Sequence, residues 1–222
     1  MKSARTQALL TGLLFGGPVL VGLLLAAGCG GSSSGGLPGG TTTLAQVTRG
    51  QYLVTSIGCA DCHNGGKDDP SDPQWLAGYT SSRPTAQFQI GPFTTYAANI
   101  TPDKNTGLGN FTDRQIYNAL KYGLDPMFTP DVVITSTTPG QGNFPATPHY
   151  LAPPMPWPQF RHLSDDDLWA IVAYIHHGIK AVNNAVPASQ GPPDFWASTY
   201  DPSKIGPATI PPYPTGNEQF QP

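Results

Sequence analysis

The stretch "SIGCADCHNGG", residues 56–66, sets two residues between Cys59 and Cys62 and puts His63 directly behind them. The chain has one other cysteine, Cys29. Three chemistries use two thiols at that spacing. A thioredoxin-like dithiol wants a βαβ context, and the preceding "QVTRGQYLVTSIG" shows no buried strand alternation. A structural zinc site needs four ligands, and there is no second cysteine pair. Cys-x-x-Cys-His is the attachment pattern of c-type haem. Each thiol adds across a haem vinyl group, and the adjacent imidazole is held by its backbone against the iron. On this reading Cys59, Cys62 and His63 bind one covalent haem c, with His63 as an iron ligand.

Export makes that chemistry accessible. Lys2 and Arg5 precede an apolar run from Ala8 to Ala27, the order of a charged n-region and an h-region in a secretion signal. Its end, "LLLAAGCGG", resembles the cleavage site of bacterial lipoproteins, where the cysteine, here Cys29, becomes the lipidated first residue. Leucine usually stands three places before that cysteine; here the place is Ala26, with Leu25 one earlier. A plain membrane anchor is the alternative, since the run is long enough to span a bilayer, although Pro18 and the glycines from Gly12 to Gly28 make a poor helix. Either way positive charge stays inside and the rest of the chain is exported. The expected destination is the periplasmic side of a membrane, with lipid on Cys29 as the anchor.

Segment composition then divides the chain: an export signal over 1–28, lipidated Cys29 and a flexible Gly/Ser tether over 29–43, one domain over 44–187, and a Pro-rich tail over 188–222. Removal of residues 1–28 takes two of the 11 basic residues and none of the 14 acidic ones, which leaves a formal charge of −5 and no basic face for nucleic acid. Charged residues make up only 11% of the chain, against about 25% in ordinary domains. With 26 glycines and 25 prolines in 222 residues, long ordered loops are expected.

The second axial ligand decides what a haem protein does. Met155, in "LAPPMPWPQF", is flanked by Pro154 and Pro156, whose fixed φ stiffens the segment. A thioether on such a loop loses little chain entropy when it binds iron. Met127, in "GLDPMFTP", follows a helix end and reads as a packing residue. His149, His162, His176 and His177 keep a second imidazole open. His176 and His177 fall at a helix end, where polar residues are ordinary. His162 neighbours a helix cap and reads as solvated, so His149 is the main rival to Met155.

Three helices are expected. The first runs over 44–60, with Leu44, Val47, Leu53, Val54 and Ile57 on its apolar face, and delivers the haem motif at its end. The second covers Asp113 to Tyr122, with a Thr112/Gln115 capping box, a Phe111/Ile116 staple and Gly123 as its stop. The third is capped by Ser164, carries Asp165, Asp166 and Asp167 in its first turn, and continues through "LWAIVAYIHH" to Gly178. Its all-round apolar character marks a buried helix, and the three acids read as capping chemistry rather than metal ligands. Val132 to Thr135 is a candidate short strand. "NITPDKNTGLGNF", residues 99–111, is a long turn-rich loop of the kind that lines a site. Within it, Asn99 and Thr101 are candidates to hydrogen-bond a haem propionate.

Four blocks, "RGQYLVTSIGCADCHNGG", "GPFTTYAANITPDKNTGLGNFTDRQIYNALKYG", "LAPPMPWPQFRHLSDDDLWAIVAYI" and "AVNNAVP", together resemble class I cytochromes c. They are most similar to the cytochrome c domains in cytochrome subunits of membrane-bound alcohol and gluconate dehydrogenases. The resemblance implies an all-α cytochrome c fold around one haem, with His63 and Met155 as the iron ligands. It also implies a crossing of the first and third helices at Gly50, with Trp169 or Tyr174 against it. Those subunits typically carry three haems, whereas this chain has one haem motif; residues 124–150 are long for the family, and the tail after Ala188 matches no family pattern.

The implied function is a one-electron carrier without catalytic residues. It works between a dehydrogenase and a terminal oxidase or reductase, held at the membrane by lipid, either by itself or as a cytochrome subunit of a dehydrogenase complex. The alternative is a haem enzyme or sensor, peroxidase-like or gas-binding, whose sixth iron position is open because Met155 only packs. A haem-free interaction module is a third reading.

Overall fold

The structure is a computed structural model and describes residues 41–210. The expected export segment over 1–28, Cys29, most of the tether and the end of the tail lie outside the described residues.

Helix α1 (Leu44–Ser56) starts at a capping box: Thr43 Oγ1 accepts from the Gln46 N–H, and Gln46 Oε1 accepts from the Thr43 N–H. It ends earlier than the expected 60. Gly58 turns left-handed at φ 76°, so the chain breaks after Ile57 and a separate turn, α2 (Cys59–His63), begins. Left-handed backbone costs a residue with a Cβ about 1–2 kcal/mol and glycine nothing. Leu44, expected on the apolar face, is 82% exposed, while Leu53 and Val54 are buried.

A hairpin absent from the sequence reading follows: β1 (Gln87–Ile90) pairs antiparallel with β2 (Phe93–Tyr96), from Gln87 opposite Tyr96 to Ile90 opposite Phe93. The strand expected over 132–135 does not form; that segment is irregular, and the carbonyls of Val132, Val133 and Ile134 accept from the side chains of Asn118, Asn143 and Tyr122 instead of from a neighbouring strand. Helix α3 (Asp113–Tyr122) has the expected cap, Thr112 Oγ1 accepting from the Gln115 N–H, and stops at left-handed Gly123. After the short α4 (Trp157–Phe160), α5 (Asp165–Ala173) begins at Ser164, whose Oγ accepts from the Asp167 N–H. The third helix is thus regular only to Ala173; Tyr174–Gly178 is a wider π-helical turn.

One core joins α1, α3 and α5 through Leu53, Val54, Ile116, Leu120, Leu168 and Ile171. At the crossing of α1 and α5, a Cβ on Gly50 would overlap the Ala170 carbonyl and lie 2.7 Å from Tyr174 Cβ. Of the two aromatics named for that place, Tyr174 is there. Trp169 instead stacks on Tyr117 of α3 at 4.4 Å, with the Arg114 guanidinium 4.5 Å from its ring. The acids of α5 have partners beyond their own helix: Asp165 accepts from Tyr117 and Lys121, and Asp167 from Arg49.

Two smaller clusters flank this core. Phe93, Trp157, Trp196 and Tyr200 form an aromatic group in which β2, α4 and the tail meet. Gln190 bridges to Thr94, and buried Arg161 donates to the carbonyls of Ile205 and Gly206, so residues 190–206 lie back on the domain. Residues 124–150 leave and return at one point: Leu124 bridges Tyr150, and the Asp125 N–H donates to the His149 carbonyl. Between those ends the loop packs its own Ile134 and Phe144 on Leu124. Among the described residues no helix is long and apolar enough to cross a membrane.

Candidate haem site

Helical spacing places the haem motif on one face. In α2, Cys62 is three residues and His63 four residues after Cys59, the separations that align side chains along a helix. Both cysteines are free thiols. Burial pushes the Cys59 thiol up to about 12, and burial followed by neighbouring Asp61 raises that of Cys62. A redox dithiol needs the opposite, a thiolate stabilised near neutral pH.

His63 lies deep among protein atoms yet remains partly accessible. Burial lowers its pKa, opposed by a 2.7 Å hydrogen bond between Nδ1 and the Ala98 carbonyl. A carbonyl only accepts, so Nδ1 carries the proton and the lone pair stands on Nε2. That is the tautomer a metal-binding histidine takes, with a hydrogen bond on its other nitrogen fixing the ring.

The carbonyl itself is held by a loop pairing. The Tyr79 N–H donates to Ala97, the Ile100 N–H to Leu76, and the Gly78 N–H to the carbonyl of His63. Gly78 is left-handed at φ 83°, and a Cβ there would sit 2.6 Å from the Ala98 carbonyl carbon. The turn between motif and loop is fastened by Arg83, which donates to Asn64, Gln74 and Asp72. Asn64 is fully buried and the Asp72 side chain is only 6% exposed.

Met155 sits in a tight turn, partly buried, and packs against the same core that Cys59 borders. The segment is pinned on both sides through Gly123: the Leu151 N–H donates to the Gly123 carbonyl, and the Trp157 indole covers Gly123 so closely that a Cβ would overlap the ring. Met127, read as a packing residue, is instead 73% exposed. The four other histidines have partners of their own. His149 bonds Asp194 and stacks on Phe128, exposed His162 bonds the Ala208 carbonyl, and His176 and His177 both face Asp113.

Asn99 and Thr101 do not fit the expected propionate role. Asn99 Nδ2 donates to Thr106 and the Val182 carbonyl, and Thr101 Oγ1 to Asn99 Oδ1. Both are buried, and their polar atoms tie the 99–111 loop to the segment after the π turn. Sequence reasoning missed Ala98, Gly78 and the Arg83 cluster. Ala98 acts through its backbone, which no residue type announces; the three donor contacts of Arg83 arise only after 64–83 has folded.

Three relatives share about two-thirds of the chain. The fructose dehydrogenase cytochrome subunit of Gluconobacter japonicus is 32% identical over 150 residues, 67% of this chain and 24% of that protein. The cytochrome c subunit of the quinone alcohol dehydrogenase of Gluconobacter oxydans (strain 621H) is 30% identical over 167 residues, 72% of this chain and 28% of that protein. The gluconate 2-dehydrogenase cytochrome c subunit of Pantoea cypripedii is 31% identical over 141 residues, 64% and 25% respectively. The chain spans about a quarter of the length of these relatives. No protein-family model matches it. Together with the motif-bearing turn and its fixed imidazole, these similarities make the chain a c-type cytochrome of class I, related to the cytochrome subunits of fructose, alcohol and gluconate dehydrogenases.

Proposed function

We propose that the chain is a single-haem electron carrier. Cys59 and Cys62 hold the group covalently, and His63 and Met155 ligate its iron. The observation that carries this reading is the His63 imidazole, fixed through Nδ1 by the Ala98 carbonyl, with both thiols along the same helical face. Bound haem supplies a one-electron couple between ferrous and ferric iron. The protein's part is to keep the ligands in place. Gly123 anchors the Met155 turn from two sides, and such a turn resists the swing that would admit oxygen or peroxide. A methionine as the iron's second protein ligand would also raise the potential relative to two histidines.

On this reading the chain is exported, anchored by lipid on Cys29, and passes electrons at the periplasmic face of the membrane from a dehydrogenase to an oxidase or reductase. The names of the relatives support a dehydrogenase as donor. The test is the visible spectrum of the purified protein beside Met155→Ala. The ferric wild type should show the weak far-red band of methionine-ligated haem and exclude carbon monoxide when reduced, and the variant should lose the band and bind it. A wild type without the band that takes up carbon monoxide readily would replace the carrier with a ligand-binding haem protein.

A further inference from the structure

Asp113, His176 and His177 take no part in the haem reading. Asp113 is the first residue of α3, and the histidines come from the π turn that ends the third helix. In a regular α-helix consecutive side chains point about 100° apart and do not share a partner. Here both imidazoles meet one carboxylate. His176 Nδ1 lies 2.6 Å from Asp113 Oδ1, and His177 Nε2 lies 2.8 Å from Oδ1 and 3.0 Å from Oδ2. The two rings are 4.6 Å apart between centroids. One ligand atom from each of the three residues falls within 4.8 Å of the others. Turns of π geometry concentrate at functional sites, and this one turns two adjacent rings toward the same point.

We propose that Asp113, His176 and His177 form a second metal site, for one divalent ion that favours imidazole, of the copper or zinc type. Two neutral imidazoles and a carboxylate are the donors such ions prefer. Metal bonds of about 2.0–2.2 Å would set the donor atoms roughly 3.0–3.5 Å apart, so each imidazole backs off the carboxylate by less than about 1 Å, while the two ring nitrogens, within 4.8 Å of one another, draw in to that spacing. The ion takes the place of the protons now shared between the rings and the carboxylate. The His176 side chain is only 13% exposed, whereas His177 and Asp113 are 40% and 37% exposed. The ion therefore enters from solvent, and its remaining position faces water. Bound there, it links the start of α3 to the end of the third helix.

The experiment uses the full haem-loaded ferric protein, stripped with chelator and given one equivalent of Cu2+ for electron paramagnetic resonance, or dialysed against Zn2+. We expect one ion per chain, a copper spectrum split by two nitrogens, and a higher thermal midpoint with Zn2+. His177→Ala and Asp113→Asn should each weaken uptake at least tenfold with the haem spectrum unchanged, and His162→Ala should not. Absence of uptake by wild type, uptake undiminished in both ligand variants, or a copper spectrum with fewer than two nitrogens would overturn the site and leave a hydrogen-bonded clasp. None of these outcomes bears on His63 or Met155, which the haem spectrum reports separately.

Discussion

Gly78→Ala tests how the fold holds His63. Gly78 is left-handed at φ 83°, and its added methyl would lie 2.6 Å from the carbonyl carbon of Ala98, whose oxygen fixes the imidazole. The left-handed backbone costs about 1–2 kcal/mol. The overlap is with backbone rather than a movable side-chain tip and adds about 1–3 kcal/mol. Gly66→Ala separates the two terms, because Gly66 has φ 81° and nothing within 4 Å of the added carbon. The variants should therefore differ by about 1–3 kcal/mol in denaturant unfolding followed by circular dichroism, or roughly 2–12 °C in midpoint. The potential separates them as well. A histidine that loses its Nδ1 partner is a weaker donor and stabilises ferric iron less. A neutral hydrogen bond worth about 0.5–1.5 kcal/mol corresponds to an upward shift of about 20–60 mV in a one-electron couple. Gly66→Ala should leave the potential where it is. Equal stability and equal potential for the two variants would refute the chain of reasoning from Gly78 through Ala98 to His63.

Three further outcomes are expected. Gly50→Ala should destabilise by about 1–3 kcal/mol through overlap with the Ala170 carbonyl, whereas helix propensity alone would stabilise by about 1 kcal/mol; thermal unfolding beside Thr48→Ala on the exposed face of α1 gives the sign. Arg83→Met should cost about 2–4 kcal/mol, because it strips Asn64 and Asp72 of a partner while Lys67 still reaches Asp72 at 2.9 Å; loss of less than about 1 kcal/mol in denaturant would remove the cluster from the account of the site. Asp72 is held below the usual carboxylate range, first by the hydrogen bond from Lys67, so its contribution is full above the unfolded value of 3.8 and is lost as pH falls through the lower folded value; Asp72→Asn should flatten the acid limb of stability as pH falls below that unfolded value.

The readable parts of this chain were those in which a local rule and the tertiary structure agree. The box at Thr112 and Gln115 and the stop at Gly123 gave α3 its full extent, because capping is settled within four residues. The Ser164 cap gave the start of α5, but not its end. The widening at Tyr174 depends on the packing of the helix against α1 and α3, and no helix propensity records that. Gly58 carries a local signal: a glycine directly before the motif breaks α1 and lets α2 set its own direction. The hairpin also had one, since Gly91 and Pro92 separate Phe88 and Ile90 from Phe93, and Gly-Pro pairs mark turns. At Asn99 and Thr101 residue type is legible but aim is not. Their polar groups turn inward to Thr106 and Val182, which lies 83 positions from Asn99.

The closed base of residues 124–150 bears on how this protein can change over time. The segment departs and returns at the Leu124–Tyr150 bridge, and on either side Gly123 and Leu151 are already bonded to each other. The first part of the segment is tied to α3 as well, Gln115 donating to the Pro126 and Thr129 carbonyls, Asn118 to that of Val132 and Tyr122 to that of Ile134, so only chain length beyond those ties is free to vary without disturbing the helix. Each doubling of such a loop costs only about 0.6 kcal/mol in closure entropy. Evolution can lengthen or redecorate the part of the excursion beyond Ile134, while the Gly123–Leu151 bond keeps the entry to the Met155 turn where it is.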